Sequence, residues 1–108
     1  MSTRPNLRIG HVAIFVRDID KMRAFYTDIL GFTVTDEGPH PAASIQMVFL
    51  SSNPEEHHEF VLLEGRSEDE KYSPAQQLSF YLGSLDELRA LRDRLVAEGI
   101  EIDRYACH

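Results

Sequence analysis

Residues 10–32 read GHVAIFVRDIDKMRAFYTDILGF, and a change of period inside this stretch decides the fold. From Arg8 to Val16 apolar and β-branched residues alternate, so Val12, Ile14 and Val16 share one face of a strand while His11, Ala13 and Phe15 share the other. At Asp18, a plausible side-chain cap, the period lengthens to that of a helix. Met22, Phe25, Tyr26, Ile29 and Leu30 then fall at i, i+3, i+4, i+7 and i+8 of one apolar stripe, and Gly31 stops it. A strand feeding such a helix packs its Val12 face beneath the apolar stripe. His11 is left on the opposite face.

Downstream, FTVTD, IQMVFLSS and HEFVLLEG are three further strand candidates, the first two separated by the turn Gly38-Pro39-His40-Pro41. Residues 8–66 therefore form a strand, a helix and three strands. The polar, proline-containing stretch 67–75 is a connector, after which the pattern restarts. QLSFYLGS reads as a strand with Leu78, Phe80 and Leu82 on one face and Gln77, Ser79 and Tyr81 on the other. Ser84 and Glu87 have capping-box spacing. Leu88, Leu91, Leu95 and Val96 are the packing stripe of a helix that ends at Gly99, and IEIDR follows as a strand. His11 to Gln77 and Asp18 to Ser84 share a single offset, the mark of a tandem array.

The expected class is α+β, a single domain over residues 1–108, with a complete βαβββ module at 8–66 and a second module at 76–108 that stops after βαβ. A half-built sheet leaves an open edge that invites pairing. Either the natural chain is longer or a second subunit fills the gap, so the expected assembly is a homodimer.

Composition removes several functions. Eighteen acidic against eleven basic residues give a formal charge of −7, which repels phosphate backbones and anionic lipid. Neither a long apolar leader nor a membrane-length apolar run is visible, so the expected location is cytoplasmic. Cys107 is the single cysteine, which excludes an intrachain disulfide and a thiolate zinc site. A metal would be held by His, Gln, Asp or Glu. With 43% apolar residues, the chain can build a modest core.

GHVAIFVRDIDKMRAFYTDILGF, the doublet in EEHHEFVLLEG and the spacing to QQLSFYLGSLDEL resemble the vicinal-oxygen-chelate superfamily, from about Arg8 to His108. Within it, the His57-His58 doublet is similar to that of extradiol ring-cleaving dioxygenases of the biphenyl-diol type. The resemblance implies paired βαβββ modules curled around one divalent metal, ferrous iron in the dioxygenases and Mn2+, Zn2+ or Ni2+ as other possibilities. It implies a small aromatic diol or other vicinal-oxygen substrate, with dioxygen as co-substrate. The superfamily also holds isomerases, epimerases, thiol transferases and drug-sequestering proteins, so fold alone does not give function.

Carried over residue by residue, His11 matches the first metal ligand. Its strand face agrees with that role, although a histidine bonded within the core has the same pattern. Gln76 and Gln77 stand where the dioxygenases carry a second His-His pair; Gln77 would be a weaker iron ligand than imidazole, and glyoxalases use glutamine at an equivalent place. The third ligand that the resemblance implies, a glutamate near the end of the eighth strand, is not identified, because the sequence stops first. His58 matches the group that exchanges protons with a bound diol, with His57 turned outward; two solvated histidines beside Glu55 and Glu56 are the plain alternative. Glu64 reads as a strand-end charge too far from His58 to share its site, and Val61 or Leu62 stands nearer the expected ligand level. Phe15 and Tyr81 would line an aromatic pocket, and His108 would contact substrate or oxygen. A ring-cleaving dioxygenase, a non-catalytic binding module and a glyoxalase-type isomerase are the three functional classes left open.

Overall fold

The computed structural model describes residues 4–7, 9–53, 55, 59–69, 71 and 78–102. The chain divides into two compact units, residues 1–76 and 77–108.

The first unit holds a sheet of β1 (Val12–Val16), β2 (Thr33–Pro39), β3 (Gln46–Ser51) and β4 (Phe60–Glu64) in the order β1-β4-β3-β2. β1 lies parallel to β4, and the β3 pairings with β4 and β2 are antiparallel. The connection from β1 to β2 runs through helix α1 (Ile19–Ala24) and its π-helical continuation, Phe25–Ile29. This is the βαβββ order expected from the sequence.

Local chemistry fixes each boundary. Asp18 caps α1, its Oδ1 accepting from the Lys21 amide at 3.0 Å. Gly31, at φ +78°, lets the chain fold back after the π turn, where the Phe32 amide donates to the Tyr26 carbonyl at 2.9 Å. A bulge between Val34 and Asp36 kinks β2, and there the Thr35 hydroxyl donates to the Phe49 carbonyl at 3.3 Å.

The register places Val12, Ile14 and Val16 on the same sheet face as Phe60, Leu62, Val48 and Leu50. Leu50 and Leu62 are wholly buried, and Val16, Val48 and Phe60 are nearly so. Tyr26 joins this layer to the helix. Its ring meets Phe60 edge-on at 4.9 Å and Phe25 at 5.3 Å, with Phe32 tilted at 5.7 Å. Such aromatic pairs contribute about 1 kcal/mol each beyond area burial, and the burial of Tyr26 raises its phenol pKa. Arg23 reaches across to Glu37 of β2 with a two-pronged contact at 2.9 and 3.3 Å, an exposed pair worth no more than about 1 kcal/mol.

In the second unit, the described residues form helix α2 (Leu85–Ala97) with the expected capping box. The Glu87 amide donates to Ser84 Oγ at 3.1 Å, and Glu87 Oε2 accepts from the Gly83 amide at 2.9 Å. Gly99, at φ +76°, closes the other end. Residues 78–83 and 100–102 enter no backbone ladder among the described residues, and the rest of the two expected strands lies outside them. One expectation is corrected here. The Leu88, Leu91, Leu95 and Val96 stripe is not a core: no residue of α2 is buried, and Leu88 is 52% exposed. An apolar stripe at helical spacing becomes an interior only where another element covers it. No helix among the described residues is long and apolar enough to cross a membrane.

Burial predicts a sharp contrast between the two stripes. Leu62→Ala should cost about 2–5 kcal/mol of unfolding free energy by urea titration, because its side chain is fully enclosed. Leu88→Ala on the exposed face of α2 should cost under about 1 kcal/mol.

Candidate functional site

Because α1 covers one face of the sheet, the other is where a ligand can be met. That face has three tiers. Just before β1 stands His11, and just before β4 stands Glu59, whose carbonyl accepts from the Val12 amide at 3.0 Å. The second tier is Ala13, Val61 and Phe49; the third is Phe15, Leu63 and Met47. The face thus passes from polar to apolar over four residues of strand, roughly 13 Å.

His11 is exposed and immediately precedes the first residue of β1. Phe15, 47% exposed, lies on the open face at the far end of the strand. Its ring lies 3.6 Å from where a side chain at Gly65 would begin, and Gly65 has φ +131°. A Cβ there would make only ordinary contact with the ring, so it is the backbone angle that favours glycine. Tyr81, in the second unit, is fully exposed. Glu64 is paired with Val16 on the helix-covered face, and its Oε1 accepts from the Gln46 amide at 3.2 Å. It therefore does not join His11. Val61, buried beneath the open face and opposite Ala13, stands at the level where a second ligand from β4 would be sought, and it carries no donor atom. His57, His58, Gln76, Gln77 and His108 lie outside the described residues.

Sequence reading passed over Glu59. Its Oε1 accepts from the Ser51 hydroxyl at 3.0 Å, the Ser52 amide and hydroxyl at 2.8 Å each, and the Asn53 amide at 3.2 Å. The Ser51 hydroxyl also lies 2.6 Å from the Asn53 carbonyl. These donors, the Ser52 hydroxyl foremost, hold the Glu59 carboxyl below the ordinary carboxylate range. The available signal was three successive small polar residues at the end of β3 and an acid at the start of β4. Among the described residues, no group of three or more His, Cys, Asp or Glu side chains could hold a metal ion. His11 fits as one imidazole donor, and the described part of the site does not complete a centre around it.

The Glyoxalase/Bleomycin resistance protein/Dioxygenase superfamily profile matches residues 8–105. The chain belongs to that superfamily. It is 30% identical over 99 residues to catechol-2,3-dioxygenase of Bacillus subtilis (strain 168), covering 88% of this chain and 33% of the relative. It is 28% identical over 96 residues to 1,2-dihydroxynaphthalene dioxygenase of Pseudomonas putida, covering 89% of this chain and 28% of that one. The chain thus spans about a third of the length of these curated dioxygenases. In structure it is similar to a variant of the fosfomycin resistance protein FosX from Listeria monocytogenes, complexed with Mn(II) and a dihydroxypropylphosphonic acid. The TM-score is 0.71 at 17% identity, over 100% of this chain and 79% of that chain, which makes the likeness one of fold. Members of this superfamily include metal-dependent enzymes, and the α+β βαβββ unit of this chain is a partial vicinal-oxygen-chelate fold.

The Glu59 clasp predicts a pH dependence of stability. Its carboxyl has a lowered pKa in the folded state, so the stabilisation is complete above the ordinary value of 4.5 and disappears as pH falls through the lowered value. Thermal melts should show wild type more stable than Glu59→Gln by a constant margin from about pH 7 to 5, and that margin should narrow below about pH 4. A margin unchanged down to pH 3 would contradict the clasp.

Proposed function

We propose that the chain is related by function as well as ancestry to extradiol dioxygenases, and that its first unit supplies a metal-binding imidazole and an aromatic-binding floor. The observation that carries this reading is the placement of His11 at the polar head of an open sheet face whose next two tiers are apolar. The similarity to two ring-cleaving dioxygenases across most of the chain supports it.

On this reading His11 and Gln77 hold a divalent cation, ferrous iron or another such as Mn2+, Zn2+ or Ni2+, together with a carboxylate that the sequence does not identify. The bound metal would supply a Lewis-acidic centre that draws together the diol oxygens and dioxygen. His58 takes a proton from the diol and returns it during ring opening, a task suited to an imidazole that titrates near neutral pH. Ala13 and Phe49 form the floor beneath the ring, and Phe15 lies beyond them. As the family resemblance implies, Tyr81 and His108 would line the substrate, and two copies of the chain would pair as a homodimer in the cytoplasm.

A second reading has its own support. Val61, apolar at the level where β4 would offer a donor, suits a binding module that keeps the pocket without the chemistry. A glyoxalase-type isomerase needs a carboxylate on that strand, and Glu64 is on the wrong face.

Anaerobic titration with ferrous iron separates these readings. The dioxygenase reading expects one site per chain or per pair of chains, abolished by His11→Ala. It further expects His58→Ala to keep the metal and lose catechol-dependent oxygen uptake by roughly 10²- to 10⁴-fold. Absence of iron binding by the wild-type chain would favour the metal-free module.

A further inference from the structure

We propose that Asp36 is a specificity-determining residue of the open sheet face, selecting aromatic ligands that carry a cationic amine over those that carry a carboxylate, an inference that rests on reading this face as an aromatic-binding floor. Register gives the placement. Asp36 pairs with Phe49, Phe49 with Val61, and Val61 with Ala13, so the second tier of the face ends at Asp36 on the edge strand β2. Gly38 pairs with Met47 and ends the third tier in the same way. Residues directly opposite in a ladder share a face. Asp36 therefore brings a charge to the rim of two tiers that are otherwise apolar.

The bulge in β2 is what turns Asp36 to this side. Val34 pairs with Leu50 in the helix-covered layer, and strict alternation would set Thr35 against Phe49 and return Asp36 to the covered side. With Thr35 as the extra residue, Asp36 takes the open face and Glu37 the covered one, where Glu37 meets Arg23 at 2.9 Å. Asp36 is exposed, and its Oδ1 accepts from the Glu37 amide at 2.9 Å, which restrains the carboxylate. Gly38 supplies room beside it. A Cβ at Gly38 would meet nothing within 4 Å, and its backbone angle does not require glycine. Glycine inside a strand often marks a close approach by a ligand or another backbone. Neighbouring strands lie about 4.8 Å apart, so a ring over Phe49 carries its substituent to Asp36 and the space at Gly38. A carboxylate there attracts an ammonium and repels a carboxylate, and the formal charge of −7 acts in the same sense at long range. A charge on an edge strand can also guard against sheet extension, but a guard does not discriminate between ligands.

The test is an amide chemical-shift titration of the full 108-residue chain, without added metal, against matched monophenols: tyramine, 4-ethylphenol and 3-(4-hydroxyphenyl)propionate. Shifts are followed at Asp36, Phe49 and Leu63. Tyramine should bind about threefold more tightly than 4-ethylphenol, and the propionate about threefold more weakly, the size of an exposed charge contact. Asp36→Asn should draw the affinities together, Asp36→Lys should reverse their order, and Gly38→Leu should weaken tyramine more than 4-ethylphenol. In the wild-type chain, raising the ionic strength to about 1 M should erase the preference. Equal affinities in the wild type, or a preference that persists in Asp36→Asn, would overturn the role of Asp36 while shifts at Phe49 and Leu63 still support the aromatic floor. Absence of shifts at these residues with every probe would overturn the floor, and the inference with it. Should Asp36→Lys not fold, Asp36→Asn and the salt dependence carry the same comparison.

Discussion

One constraint organises the first unit: a single helix must cover a single face of a four-stranded sheet. The Tyr26 ring, set edge-on against Phe60 and beside Phe25 and Phe32, brings the helix onto Val48, Leu50 and Leu62. Since strand side chains alternate, committing Ile14 and Val16 to that layer commits Ala13 and Phe15 to the other. The chemistry-bearing face follows from how the core is packed, and no separate device is needed to expose it.

The open face is graded along the strands. Its polar head, with His11 and the clasped Glu59, adjoins two apolar tiers, which suits a ligand with oxygens at one end and a ring at the other. The gradient has different meanings for the two functional readings. With further donors around His11 it is the floor of a metal-centred reaction; without them it is half of a binding cleft. Val61 and Glu64 weigh on this choice because register, and not composition, decides which β4 side chain can approach His11.

Much of the first unit was legible from residues alone because each of its signals is local. The alternation of 12–16, the Asp18 cap and the Gly31 stop all act within a few residues, and the structure carries them as written. The second unit shows where local signals end. The Ser84 and Glu87 capping box forms, since it involves only neighbours. The flanking strands do not form among the described residues, because a strand is a relation between two segments and no spacing within one segment supplies its partner.

The sequence by itself determined the βαβββ order and the superfamily to which the chain belongs, because periodicity, caps and motif spacing are properties of the covalent chain. Tertiary structure alone decided three things. Glu64 is turned away from His11, Val61 occupies the level opposite Ala13, and Glu59 is drawn into a clasp with Ser51, Ser52 and Asn53. Each depends on strands brought side by side in one register, and a register exists only once the sheet has assembled.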